Sequence, residues 1–282
     1  MPATAFPFDY RVIEPDGEAG RLAESVWYAR GTVPYTRERI APTGSSVAVF
    51  VLGDPILQTP ERGDPLEAAE GFLVGPHDRP AWNEPRGETF ALGIVARPSA
   101  CRALFGAAPA ELRGRVVPLL EAWQAAPNLR AELMSAADPD AMVECLVRHV
   151  TSCDVPETAG FERCERAVSL LEDQPARPIA EIADELGVSH AHLDRQFTDI
   201  VGLTPRALAR LLRMRRLLEQ LDVRVNADWA GLAVEHGWYD QGHFIRDFKR
   251  HTGVTPTQYV DSQRRNFAPD QAGDGAGFVP EG

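Results

Sequence analysis

Between Tyr10 and Arg97 the apolar residues come in short runs: Val26-Trp27-Tyr28, Val47 to Leu52, Ile56-Leu57, Gly71 to Val74 and Phe90 to Ala96. Each is closed by Gly, Pro or Asp, as in Leu52-Gly53-Asp54-Pro55 and Val74-Gly75-Pro76. Brief β-branched runs punctuated by turn formers predict the strands of an all-β sandwich or small barrel. After Pro98 the pattern changes to Ala-rich segments at Ser99 to Phe105, Pro118 to Gln124, Leu129 to Ala136 and Ala141 to Thr151. In the last of these, Met142, Cys145, Leu146 and His149 follow the three-and-four spacing of one helical face. These helices are expected to pack on the β unit. The polar stretch Ser152 to Gly160 (SCDVPETAG) predicts a linker.

Beyond the linker the chain repeats itself. Ile179-Ala-Glu-Ile-Ala-Asp-Glu-Leu-Gly187 is matched 50 residues later by Trp229-Ala-Gly-Leu-Ala-Val-Glu-His-Gly237. One residue is then inserted, and at an offset of 51 Leu193 pairs with Phe244, Arg195 with Arg246, Phe197 with Phe248 and Thr204-Pro205 with Thr255-Pro256. Coincidences this dense need a common structural cause. In the first copy Ile179, Ile182, Ala183 and Leu186 form one apolar stripe of a two-turn helix. Gly187 can take the left-handed conformation that ends it, and Ser189 caps a second helix whose buried face is Leu193, Phe197 and Val201. The second copy repeats this with Ala233, Gly237, Asp240 as cap, and Phe244 with Phe248. Each copy ends in Gly-x-Thr-Pro, with Thr as cap and Pro at the first position of a third helix.

Turning Leu193 and Phe197 inward places Ala191, Arg195 and Thr198 outward, with Asp194 beside them. The equivalent outward set is Gly242, Arg246 and Lys249, next to Gln241 and His243. Small and hydrogen-bonding residues with one Arg suit reading of the major groove, where Arg can bond guanine and Gln adenine bidentately. Between the copies, Leu208, Leu211, Leu212, Leu218 and Leu221 form the seam of a linker helix expected to set the two units in one frame.

The net charge of −12 opposes a nucleic-acid partner until its distribution is read. Residues 161–267 hold 15 Lys and Arg against 16 Asp and Glu, so almost all the excess lies elsewhere. Arg206, Arg210, Arg213, Arg215 and Arg216 crowd one helix-length stretch, leaving room for a local basic face.

The segment Gly237-Trp-Tyr-Asp-Gln-Gly-His-Phe-Ile-Arg-Asp-Phe-Lys-Arg250, followed by Gly253-Val-Thr-Pro256 and Tyr259, closely resembles the signature of the AraC/XylS family of transcription regulators. The resemblance covers roughly residues 161–265. It implies base contacts from Ala191, Asp194 and Arg195 in the first unit and from Gln241, His243 and Arg246 in the second, with Lys249 and Arg250 on phosphate. With the caps Ser189 and Asp240, these are the candidate DNA-binding residues. Trp238 stands where the family usually has Phe, Gly242 where a polar residue is usual, and Asp194 is acidic.

The expected fold is α+β: an N-terminal β-rich sandwich or barrel with appended helices, then an all-α domain of two helix-turn-helix motifs joined by a linker helix. Residues 1–152 are expected to form a sensing or dimerising domain, 161–267 the DNA-binding domain and 268–282 a disordered tail. The expected partners are double-stranded DNA at an operator or promoter, a small-molecule effector, RNA polymerase and a second copy of the chain. No cofactor, metal or membrane is expected, and the placement is cytoplasmic, because Met1 to Tyr10 lacks the parts of a signal peptide.

There is no GxSxG, Gly-rich phosphate loop or HExxH, so no catalytic centre is assigned. His190 with His192, and His236 with His243 and His251, lack the spacing of a metal site. The four cysteines are scattered; Cys145 and Cys153 read as small buried hydrophobes, with a redox sensor as the alternative. Trp27, Trp82 and Trp123 either line an effector pocket or belong to the core. Arg37-Glu38-Arg39 reads as a solvated face. An N-terminal enzyme or metal sensor, and regulation by a protein partner alone, stand as alternatives to small-ligand sensing.

Overall fold

The computed structural model describes residues 8–225, 227–267 and 277–281. The chain opens with β1 (Asp9–Ile13), α1 (Gly17–Leu22), β2 (Ala23–Gly31), β3 (Arg37–Ile40), β4 (Val47–Val51) and β5 (Ile56–Thr59). There follow β6 (Leu66–Ala68), β7 (Gly71–Val74), β8 (Ala81–Pro85), β9 (Thr89–Ala96), α2 (Cys101–Phe105) and α3 (Pro109–Leu112). β10 (Val116–Pro118), α4 (Leu119–Ala122), α5 (Ala126–Ser135) and α6 (Pro139–Ser152) complete the N-terminal part. The C-terminal part comprises α7 (Ala159–Asp173), α8 (Ile179–Glu185), α9 (His190–Val201), α10 (Pro205–Gln220), α11 (Trp229–Glu235), α12 (Gln241–Thr252), α13 (Pro256–Asn266) and β11 (Phe278–Glu281).

The strands form two antiparallel sheets, one ordered β1-β2-β9-β4-β7-β10 and the other β11-β3-β8-β5-β6. Strand periodicity divides the residues of the first sheet between two cores. Val26, Tyr28, Ala48, Phe50, Leu73, Leu92 and Ile94 face the helical layer, where they meet Leu104, Phe105, Trp123, Leu133 and Leu146. Their alternates Val49, Val51, Phe72 and Ala91 face the second sheet and meet Ile56 and Ala68. Helices, first sheet and second sheet thus form three layers. At Gly93 the Trp27 ring lies so close that an added Cβ would sit 2.4 Å from it, so only glycine fits.

The C-terminal helices build one core per repeat, and α10 serves both. Ala207, Leu208, Leu211 and Leu212 pack with Ile182, Ala183, Leu193 and Phe197. Met214, Leu217, Leu218 and Leu221 pack with Ala233, Trp238, Phe244, Phe248 and Tyr259.

Two readings of the sequence are corrected. First, the disordered tail expected over 268–282 does not hold at its end: Phe278–Glu281 is a strand in register with β3, and Val279 is buried in the core of the second repeat. Residues 268–276 and 282 lie outside the described residues. Second, Arg37-Glu38-Arg39 is not a solvated face. It lies in β3, where Glu38 is only 6% exposed and accepts bonds from Tyr35 and Asn83. Burial pushes its carboxyl up, and those two bonds pull it partly back. Trp123 is core, Trp27 covers Gly93, and Trp82 lies within cation-π range of Arg37 at 4.4 Å and Arg39 at 4.1 Å.

The two parts are docked. Arg21 pairs with Glu165 at 2.7 Å, Arg97 with Glu172 at 3.5 Å and Arg215 with Glu24. α3 lies against α9, and β11 bridges α13 to the edge of the second sheet.

Candidate nucleic-acid interface

Both helix-turn-helix units are closed by the devices their repeats encode. Gly187 and Gly237 adopt φ of 68° and 80°, a region closed to most residues with a Cβ, and so reverse the chain within one turn. The Ser189 hydroxyl accepts from the His192 amide at 3.3 Å, and the Asp240 carboxylate accepts from the His243 amide at 2.6 Å. These caps satisfy amides that the first helical turn leaves free. Ser189 and Asp240 are therefore structural caps that set the origin of α9 and α12. Thr204 and Thr255 cap the following helices in the same way.

On α9, Leu193, Phe197 and Val201 are buried, while Ala191 and Arg195 are exposed and Asp194 is half-buried. On α12, Phe244 and Phe248 are buried, while Gln241, Gly242, Ile245, Arg246 and Lys249 are exposed. Among the described residues Arg195, Arg246 and Lys249 engage no partner, so three cations stand free on the two outer faces.

Other candidates are already engaged. The Asp194 carboxylate lies 3.8 Å from the His190 ring one turn earlier. His243 is half-buried, with Nε2 3.4 Å from the carboxylate of Asp247. That carboxylate also accepts from the Trp238 indole at 3.1 Å, which gives this departure from the usual Phe a hydrogen-bonded role. Arg250, assigned to phosphate by resemblance, instead donates to Asp78 of the N-terminal part at 2.6 Å.

The arginine-rich stretch does not form a basic face. Arg213 lies 5.3 Å over the Trp238 ring and donates to the Gly237 carbonyl. Arg215 pairs with Glu24 and Glu219, and Arg216 caps the carbonyls of Glu172 and Asp173. Arg210 is half-buried, leaving Arg206 exposed. Ile245 was missed, because an isoleucine next to Phe244 reads as core; only its phase on the helix, one step off the Phe244 and Phe248 stripe, marks it as outward.

Among the described residues no group of three or more His, Cys, Asp or Glu is placed to hold a metal ion. His251 is buried and bonded to the Asp247 carbonyl at 2.8 Å, which removes it from any such cluster. Among the described residues no helix is long and apolar enough to cross a membrane. Cys145 is buried against Glu132, and Cys153 lies beside His149.

Residues 182–262 match a family profile described as a helix-turn-helix domain, and residues 11–118 one described as a domain of unknown function (DUF6597). The chain is 36% identical over 86 residues to the probable transcription factor PqrA of Proteus vulgaris, a stretch covering 30% of this chain and 68% of that protein. The chain belongs to the AraC/XylS family of transcription regulators. Among solved structures, ToxT from Vibrio cholerae aligns over 90% of this chain and 98% of its own, at 12% identity and a TM-score of 0.49. An AraC-type regulator from Chromobacterium violaceum aligns over 39% of this chain and 100% of its own, at 26% identity and a TM-score of 0.33. As an AraC/XylS member the chain is a DNA-binding transcription regulator, and its family is one of regulators rather than enzymes.

Proposed function

We propose that this AraC/XylS regulator inserts α9 and α12 into successive major grooves on one face of an operator, and that residues 1–152 control how firmly residues 161–267 engage it. The observation that carries the first half is the free, exposed state of Arg195 and Arg246 at equivalent positions of two helices braced by one shared helix, α10. Successive grooves on one face recur about every 34 Å, the span a rigid linker helix must set. Arg195 and Arg246 read bases, Ala191 and Gly242 permit close approach, Gln241 bonds adenine and Lys249 holds phosphate. Asp194 and His243 take part only after leaving their partners His190 and Asp247.

The second half is supported by the docking of the two parts. Arg250 is held by Asp78, and the ion pairs from Arg21, Arg97 and Arg215 span the same boundary. A small-molecule effector or a partner protein that binds the N-terminal part more tightly when this boundary is open shifts the chain toward DNA. Pairing of two copies would double the length of operator read, and the DNA-bound form would present itself to RNA polymerase at a promoter.

Selection of bound duplexes from a randomised library by the purified full chain tests this reading. The expected product is two short boxes separated by about one helical turn, roughly 10 base pairs. Enrichment of a single box, or binding governed by salt alone without sequence preference, would overturn it.

A further inference from the structure

The two recognition helices are not chemically equivalent. Superposing the repeats sets Arg246 on Arg195, Gly242 on Ala191 and Gln241 on His190. At the neighbouring outward position, Asp194 of α9 is matched by Ile245 of α12. Asp194 faces its own His190, whereas Ile245 is 37% exposed on a helix whose inner side is already filled by Phe244 and Phe248.

A single exposed isoleucine is ordinary on a protein surface. The surroundings of this one are not. Gln241 lies one turn before it, Arg246 beside it and Lys249 one turn after it, all exposed. Helical side chains lean toward the N-terminus, so Ile245 covers the surface over Gly242, which has no side chain to compete. The result is one apolar knob on a flat, cationic face. A cationic surround fits a polyanion and disfavours an apolar protein surface or a lipid core. The major groove offers an apolar group at its edge, the C5 methyl of thymine.

We propose that Ile245 reads a thymine methyl in the half-site bound by the second unit, while Asp194 makes the first unit indifferent to that methyl. Gln241, on the same stripe, suits adenine, so the second half-site is A·T-biased where the first is not. The inference rests on the DNA-reading role assigned above.

The test begins with the duplex selected from a randomised library by the full chain. Each thymine of that duplex is then replaced in turn by deoxyuridine, which removes the C5 methyl alone. At one position of one box, binding by the unaltered chain should weaken about threefold to fivefold, the worth of one buried methyl-sized group. Ile245→Ala should bind the two duplexes equally, and Ile245→Val, which keeps branched methyls, should retain part of the difference. Matching melting temperatures of both variants and the parent would exclude a folding effect. If the selection yields no operator, the DNA-reading role itself fails. If an operator is found but no thymine is methyl-sensitive, or the sensitivity survives Ile245→Ala, the role of Ile245 is overturned and the rest stands.

Discussion

The Arg250 guanidinium donates to the Asp78 carboxylate at 2.6 Å, joining the last turns of α12 to the loop between β7 and β8. Burial alone would raise the Asp78 carboxyl, but the bond to Arg250 holds it below the usual carboxylate range. A cation paired this way is withheld from phosphate.

Asp78→Ala should therefore release Arg250 and strengthen binding to duplex DNA of any sequence. One added phosphate contact steepens the dependence of log affinity on log salt by about 0.9. Arg250→Ala in the same background should remove the gain. An unchanged salt slope in a titration of the Asp78 variant would show that Arg250 does not reach the backbone even when free.

Arg246 and Lys249 are both exposed and unpaired among the described residues, one turn apart, yet their losses should differ in kind. Arg246→Ala should cost about 1 to 3 kcal/mol and relax preference at one base pair. Lys249→Ala should weaken all sequences nearly alike and lower the salt slope by about 1. Binding across a panel of single-base operator variants at fixed salt separates the two patterns. Equal loss on every sequence from Arg246→Ala would move Arg246 to the backbone-contacting class.

Legibility in the sequence followed the physics of each layer. The runs Val47 to Leu52, Gly71 to Val74 and Phe90 to Ala96 stood out because the first sheet is covered on both faces, so both phases of each strand are apolar. In the second sheet the phase that carries Ile56 and Ala68 meets the first sheet. β3 (RERI) and β8 (AWNEP) carry Glu38 and Asn83 where apolar residues would signal a strand, and β11, which pairs with β3, lies more than two hundred residues from it. No local pattern reveals a strand whose pairing is that remote. The repeat fared better because caps, glycine turns and apolar stripes are all local. What the repeat could not reveal was which outward groups another part of the chain would claim. Arg250 and Arg215 pair with carboxylates of the N-terminal part, and Arg213 and Arg216 bond backbone carbonyls outside α10.

The strand β11 belongs to two structures at once. Its backbone pairs with β3, Glu281 meets Arg39 at 2.7 Å and Arg37 at 3.1 Å, and Val279 is 2% exposed among the core residues of the second repeat. Val279→Ala removes two buried methyl-sized groups and should cost about 1 to 2 kcal/mol. Trp229 and Trp238 lie in that core, so denaturant titration followed by tryptophan emission should show the midpoint fall. A midpoint that does not move would mean that β11 contributes nothing to the second unit.

Two buried histidines set an acid limit on stability. His77 and His251 each donate from Nδ1 to a backbone carbonyl, Gly75 at 2.9 Å and Asp247 at 2.8 Å, and are 8% and 1% exposed. Burial lowers both pKa values below the ordinary 6.5; the carbonyl bonds and nearby carboxylates, Glu61 and Asp78 for His77, Asp247 and Asp78 for His251, offset it only in part. Below about pH 6.5 the unfolded chain takes up two protons that the folded chain refuses, so the unfolded state gains. Stability from these groups is thus fully present above pH 6.5 and is lost as the pH falls toward the depressed folded values. Denaturation midpoints should hold steady from about pH 8 to 7 and decline from about pH 6.5 to 5. His77→Asn with His251→Gln should lower stability at neutral pH but flatten that decline, since neither amide titrates. If the decline keeps its slope in the double variant, other groups, among them His149 and His236, whose imidazoles burial also lowers, set the acid limit in place of these two.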